Sequence, residues 1–166
     1  MAKDDDIRLL TEQEKALVLT GFDESVAFKI GSALRDRGLR EGLAMVVDVR
    51  TWGRPIFFAA LPGTTGDNSH WVLRKSNLVQ RIMKSSYRMA LEWGERERSS
   101  FATIFGIDSG EYALAGGSFP INVRGAGVIG AVTVSGLHER DDHGIVVDAL
   151  ADHLGLDKAA LALPPL

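Results

Sequence analysis

The 166-residue chain contains no cysteine. That excludes disulfides, thiolate catalysis, Cys-zinc sites and covalently attached c-type haem. Positive charge is not in excess: 19 Lys+Arg against 22 Asp+Glu leave a net charge of −3, which gives no general attraction to nucleic acid or anionic membrane. No apolar run approaches membrane-spanning length, and the amino terminus, MAKDDDIRLL, is acidic with no apolar signal core. The expectation is a cytoplasmic protein without membrane or nucleic-acid partners. H-E-x-x-H, the G-x-S-x-G elbow, a phosphate loop and paired catalytic carboxylates are also missing. The four histidines, His70, His138, His143 and His153, include no i, i+4 helical pair, so no metal site is expected. What is present is 45% hydrophobic residues, enough for one domain over 1–166 with a core from about Thr11 to Leu154 and an apolar tail over 155–166.

The stretch Gly116–Gly136, GGSFPINVRGAGVIGAVTVSG, organises the rest. It predicts a strand over Phe119–Arg124, a turn at Gly125-Ala126-Gly127 and a strand over Val128–Ser135. The second strand is small, β-branched and uncharged, which suits the middle of a sheet. Gly125, Gly127 and Gly130 spell G-x-G-x-x-G, the dinucleotide fingerprint, but that motif needs a helix to open within it. Here β-branched residues follow, so the glycines predict a hairpin and a close backbone approach.

Thr11 and Glu14 form the pattern of a capping box, predicting a short helix to about Leu19. Asp23 caps a second helix, with Gly38 as its stop. Leu43–Arg50 and Pro55–Ala60 predict an antiparallel hairpin turning at Trp52-Gly53. Leu61–Gly66 is a loop leading to Asp67 and Asn68 as helix caps, then a helix over about Asn68–Lys84. Arg74, Arg81 and Arg88 recur every seven residues beside Lys75 and Lys84, giving this helix a basic side that either faces solvent or meets a carboxylate or phosphate. Ser85-Ser86 break the helix. Asp108 and Glu111 suggest a short capped helix ended by Gly116-Gly117, and Asp141-Asp142 start a last helix to about Leu154. The apolar tail, LDKAALALPPL, invites burial against a neighbouring subunit.

Asp48 and Arg50 share one strand face, as an ion pair or as ligand contacts. His143, beside two aspartates at a helix start, is the best candidate for an axial or acid/base histidine; the alternative is a surface or interface histidine paired with a carboxylate. A Ser135–His143–Asp142 triad is discounted, because adjacent Asp and His seldom orient one another.

LPGTTGDNSHW with Lys75, Ser85-Ser86-Tyr87, GGSFPINVRGAGVIGAVTVSGL, and Asp142-His143 leading into IVVDAL together resemble the HbpS/GlcG-like family. That family is labelled "haem-degrading domain" and includes the C-terminal domain of PduO-type proteins; the match is to its short, stand-alone branch. The resemblance implies an α/β fold, with a five-stranded, antiparallel, profilin-like sheet covered by helices, and assembly into homo-oligomers. It also implies a small-molecule ligand, with haem as the non-covalent candidate. As ligand-binding positions it marks Gly63, Thr64, Asn68, Trp71, Lys75, Ser85, Ser86, Phe119 and Ser135, to which Asp48, Arg50, Arg74 and His143 are added. A small-molecule enzyme and a non-catalytic adaptor remain as alternatives.

Overall fold

The computed structural model describes residues 2–166. In chain order the elements are α1 (Ala2–Ala16), β1 (Val18–Leu19), α2 (Glu24–Glu41), β2 (Val46–Thr51), β3 (Arg54–Ala60), α3 (Gly66–Ile82), α4 (Ser86–Trp93), α5 (Ser99–Phe105), β4 (Ser118–Val123), β5 (Gly127–Ser135), α6 (Glu139–Leu154) and α7 (Lys158–Leu161). The strands form one sheet in the order β1-β4-β5-β2-β3. The expected antiparallel arrangement holds for β2–β3, β2–β5 and β4–β5, but β1 lies parallel to β4. The sheet is therefore mixed.

Strand alternation divides the sheet into two unlike faces. Val47, Val49, Phe119, Ile121, Val132 and Val134 point to the main core, where α2 contributes Ala27, Ile30 and Leu34 and α6 contributes Ile145, Val146 and Leu150. The opposite face, under α3, carries Asp48, Ser118, Thr133 and Ser135, all buried. A polar layer survives burial only if its members bond one another. Ser118 and Thr133 do so, Oγ to Oγ1 at 2.8 Å, and the Ser86 hydroxyl accepts from the Ser118 N–H at 3.1 Å. A second apolar cluster, with Leu78, Met89, Trp93 and Phe101, joins α3, α4 and α5.

The glycine hairpin forms as expected, and no helix opens at Gly127. Gly130 is required in β5, because a Cβ there would lie 1.9 Å from the Arg50 carbonyl oxygen. Backbone inside a sheet cannot step aside, so Gly130→Ala should lower unfolding free energy by about 3 kcal/mol, the upper end of overpacking costs. Urea denaturation followed by tryptophan fluorescence measures this.

Several sequence expectations are corrected. Thr11 lies inside α1, its Oγ1 donating to the Ile7 carbonyl at 2.8 Å. Its supposed capping partner, Glu14, instead accepts from the Ser85 N–H at 2.9 Å and pairs with Arg88. The residues expected to end that helix include β1, the strand missing from the sequence reading. Gly38 does not stop α2; it sits buried within it, against Leu61 and Met45, and the left-handed cap is Gly42. The cap of α3 is Thr65, with Asn68 completing its capping box. Asp108–Leu114 forms a turn, and the helix in this region is α5 upstream. The tail touches its own chain through two hydrogen bonds, Gln13 Nε2 donating to the Leu161 carbonyl at 2.7 Å and the Arg140 guanidinium to that of Pro164, while most of its residues stay exposed.

Candidate functional site

β5 ends where two helices begin. Its last residue, Ser135, and the following Gly136 and Leu137 lead into α6, capped by His138, while the first turn of α3 stands opposite. A cleft of about 240 Å³ lies between these helix starts, with Asp67, Asn68, Trp71, Lys75, Ser135 and Asp142 among its walls. Gly117 packs behind Lys75: it adopts φ 131°, and a Cβ there would meet the Val134 carbonyl oxygen at 2.4 Å and Lys75 Nζ at 2.9 Å. Only glycine leaves room for the ammonium.

Lys75 and Asp142 form a buried ion pair in the cleft wall, Nζ to Oδ2 at 3.0 Å, with side chains 4% and 1% exposed. Lys75 also donates to the Val134 carbonyl at 3.3 Å, and Asp142 Oδ1 accepts from the Leu137 N–H at 3.0 Å. Burial raises the Asp142 carboxyl above its ordinary range, and the attraction of Lys75 only partly offsets this. Desolvation therefore outweighs the pairing, which makes the pair a weak source of stability and a strong local organiser. Glu139, at the rim, is pulled up by burial but held below the usual carboxylate range by Arg98 and the Gly116 N–H.

Three groups facing the cleft keep unspent bonding capacity. The Lys75 ammonium has three N–H donors and two protein acceptors. The Ser135 hydroxyl, on a residue only 4% exposed, has no hydrogen-bond partner among the described residues. Asn68 uses its Oδ1 to accept from the Thr65 N–H at 3.0 Å, which leaves its amide N–H₂ free. Trp71 supplies a flat wall, fixed from outside by the Arg74 guanidinium 4.5 Å from the ring centroid.

The structure thus brings together four of the sequence-predicted positions, Asn68, Trp71, Lys75 and Ser135, and disperses the others. Asp48 and Arg50 form a two-pronged ion pair at 2.7 and 2.8 Å, away from the cleft. Gly63 and Thr64 shape the loop before α3, Thr64 bonding the Leu61 carbonyl. Ser85 caps α4, Ser86 braces β4, and Phe119 is core. Within the basic stripe Lys75 faces the cleft, whereas the arginines bond protein groups: Arg74 the carbonyls of Ser109 and Tyr112, Arg81 that of Phe105, and Arg88, which lies on α4, Glu14 and Glu92.

His143 is not a surface histidine. It is fully buried between Tyr87 and Phe119. Since the Gln13 amide donates to Leu161, its Oε1 accepts from His143 Nε2–H at 2.7 Å, leaving Nδ1 without a partner among the described residues. Burial, with a smaller contribution from Arg140, pushes its pKa down to about 3. The site group absent from the predicted ligand positions is Asp142, read from sequence as a helix-start aspartate and a discounted triad member. No helix among the described residues is long and apolar enough to cross a membrane.

A family model described as "Haem degrading protein HbpS-like" matches residues 22–151. A UPF0303 protein of Mesorhizobium japonicum is 54% identical over 163 residues, covering 98% of this chain and 97% of that one. Among solved structures, the Ybr137w protein superposes with a TM-score of 0.82 at 25% identity, over 90% of this chain and 89% of that one. A PduOC:heme complex superposes with a TM-score of 0.64 at 16% identity, over 81% and 94%. The chain belongs to the HbpS-like family.

Proposed function

We propose that this member of the HbpS-like family is a small-molecule-binding protein whose site is the cleft between the starts of α3 and α6. The observation that carries the reading is the Ser135 side chain, on a residue 4% exposed, which opens onto the cleft with no hydrogen-bond partner among the described residues. A hydroxyl that opens onto a cleft and is spared by the protein's own hydrogen bonds is available to an entering ligand in place of water. The cleft, at about 240 Å³, lies below the roughly 300–1,000 Å³ of sites for drug-sized ligands. It therefore does not fit haem, and no histidine is among its lining residues. A thermal-shift screen of small metabolites tests the reading. Compounds that stabilise the wild type should fail to stabilise Ala115→Phe, which places a ring in the cleft from the loop side. Hits that stabilise both proteins equally would place binding elsewhere.

A second reading, haem binding, finds support in a different place. A groove of about 850 Å³ between α6 and the tail has apolar walls that include Leu43, Leu137, Ile145 and Leu163, with His138 at its edge. His138 Nδ1 accepts from the Arg140 N–H at 3.3 Å, so Nε2 is left for a metal. Bound haem would supply an iron centre there, and His138 is the residue that would hold it. A hemin titration should then show a saturable Soret shift that His138→Ala removes. A shift unchanged in that variant would rule out His138 as the ligand.

Self-association and a cytoplasmic setting complete the proposal. Support for self-association comes from β3, an edge strand with Phe58 50% exposed, and from nearby Phe28 at 64%.

A further inference from the structure

We infer, building on the cleft reading above, that the ligand is a small zwitterion of amino-acid size, held with its carboxylate on Lys75 and Ser135 and its ammonium toward Asp67. The donors that remain unspent, the third N–H of Lys75, the Ser135 hydroxyl and the Asn68 amide, all call for an acceptor oxygen. The acceptor that remains unspent at the mouth is the Asp67 carboxylate, which has no ion-pair or hydrogen-bond partner among the described residues. Glu139 and Asp142 are already committed, to Arg98 and Gly116 and to Lys75 and Leu137 respectively.

Charge balance narrows the class further. Lys75 and Arg98 stand against Asp142, Glu139 and Asp67. A simple anion would add a negative charge to that majority. A simple cation would leave the Lys75, Ser135 and Asn68 donors without an acceptor. A molecule carrying both charges places each where its complement waits. The helix starts alone would not define a site; the partnerless Ser135 hydroxyl is the independent mark of one.

The test is calorimetric titration with the common L-amino acids, and with L-lactate and ethylamine as the two single-charge analogues of alanine. At least one amino acid should bind about tenfold more tightly than either analogue, the factor expected of one added charge-assisted hydrogen bond. Asp67→Asn should weaken that amino acid about tenfold and leave lactate unchanged, whereas Ser135→Ala should weaken both. Lactate binding as tightly as every amino acid, or an Asp67→Asn variant with unaltered amino-acid affinity, would overturn the zwitterion class. So would the absence of binding by all of the amino acids. The cleft reading fails separately, when ligands found by the metabolite screen bind Ala115→Phe as well as wild type.

Discussion

Asp142→Ala should lower unfolding free energy by about 3–5 kcal/mol, the cost of leaving one member of a buried ion pair without its partner. The Lys75 ammonium would retain only the Val134 carbonyl at 3.3 Å, and the Leu137 N–H at the start of α6 would lose its acceptor. The double variant Lys75→Met/Asp142→Leu should recover most of that loss, because burial already raises the Asp142 carboxyl despite the lysine beside it. Urea denaturation of the two single variants and the double variant yields the coupling directly. A single-variant loss below about 1 kcal/mol, the scale of an exposed pair, would show that water reaches the ammonium. A refolded double variant that no longer binds any cleft ligand would separate the pair's role in recognition from its role in stability.

Acidification should destabilise the protein through His143 before most carboxylates titrate. In the unfolded chain the imidazole takes its proton near its ordinary value of 6.5, whereas in the fold it does so only at about 3. Between those values the unfolded state binds one proton more, so stability is fully present above about pH 6.5 and falls as pH drops toward 3. The slope is about 1.4 kcal/mol per pH unit, an upper bound of roughly 5 kcal/mol over the window. Physically, a second N–H on the ring would point from Nδ1 to no acceptor, with the Arg140 charge nearby. Urea midpoints from pH 7 to pH 4 should fall more steeply for wild type than for His143→Gln, which keeps a donor toward Gln13 and cannot titrate. Parallel slopes would mean that His143 opens to solvent before it protonates.

Local signals were legible wherever one element explains itself. The uncharged β-branched run of β5, the glycine hairpin, the Asp23 cap and the turn at Trp52-Gly53 all rest on neighbouring residues. β1 is only two residues long and owes its existence to β4, more than a hundred positions away, so no local pattern marks it. The same limit governs the site. Lys75 reads as one more cation on a basic helix, and Asp142 as one more aspartate at a helix start. Their meeting at 3.0 Å is fixed by how α3 and α6 pack against β5. Arg74, Arg81 and Arg88 mislead for the converse reason: spacing shows a stripe, but only packing shows that carbonyls and Glu14 already occupy it.

The strand order also governs what the chain can do while it is being made. The hairpin β2–β3 is complete at Ala60, but the strand that flanks it on the inside, β5, ends only at Ser135. At translation rates of roughly 5–20 residues per second, the hairpin waits about 4–15 s on the ribosome with its inner edge open. For that interval the β2 backbone from Val46 to Thr51 has no strand partner on the side that β5 later occupies. An open strand edge is a template for pairing with other chains, and here it is β5 that closes it.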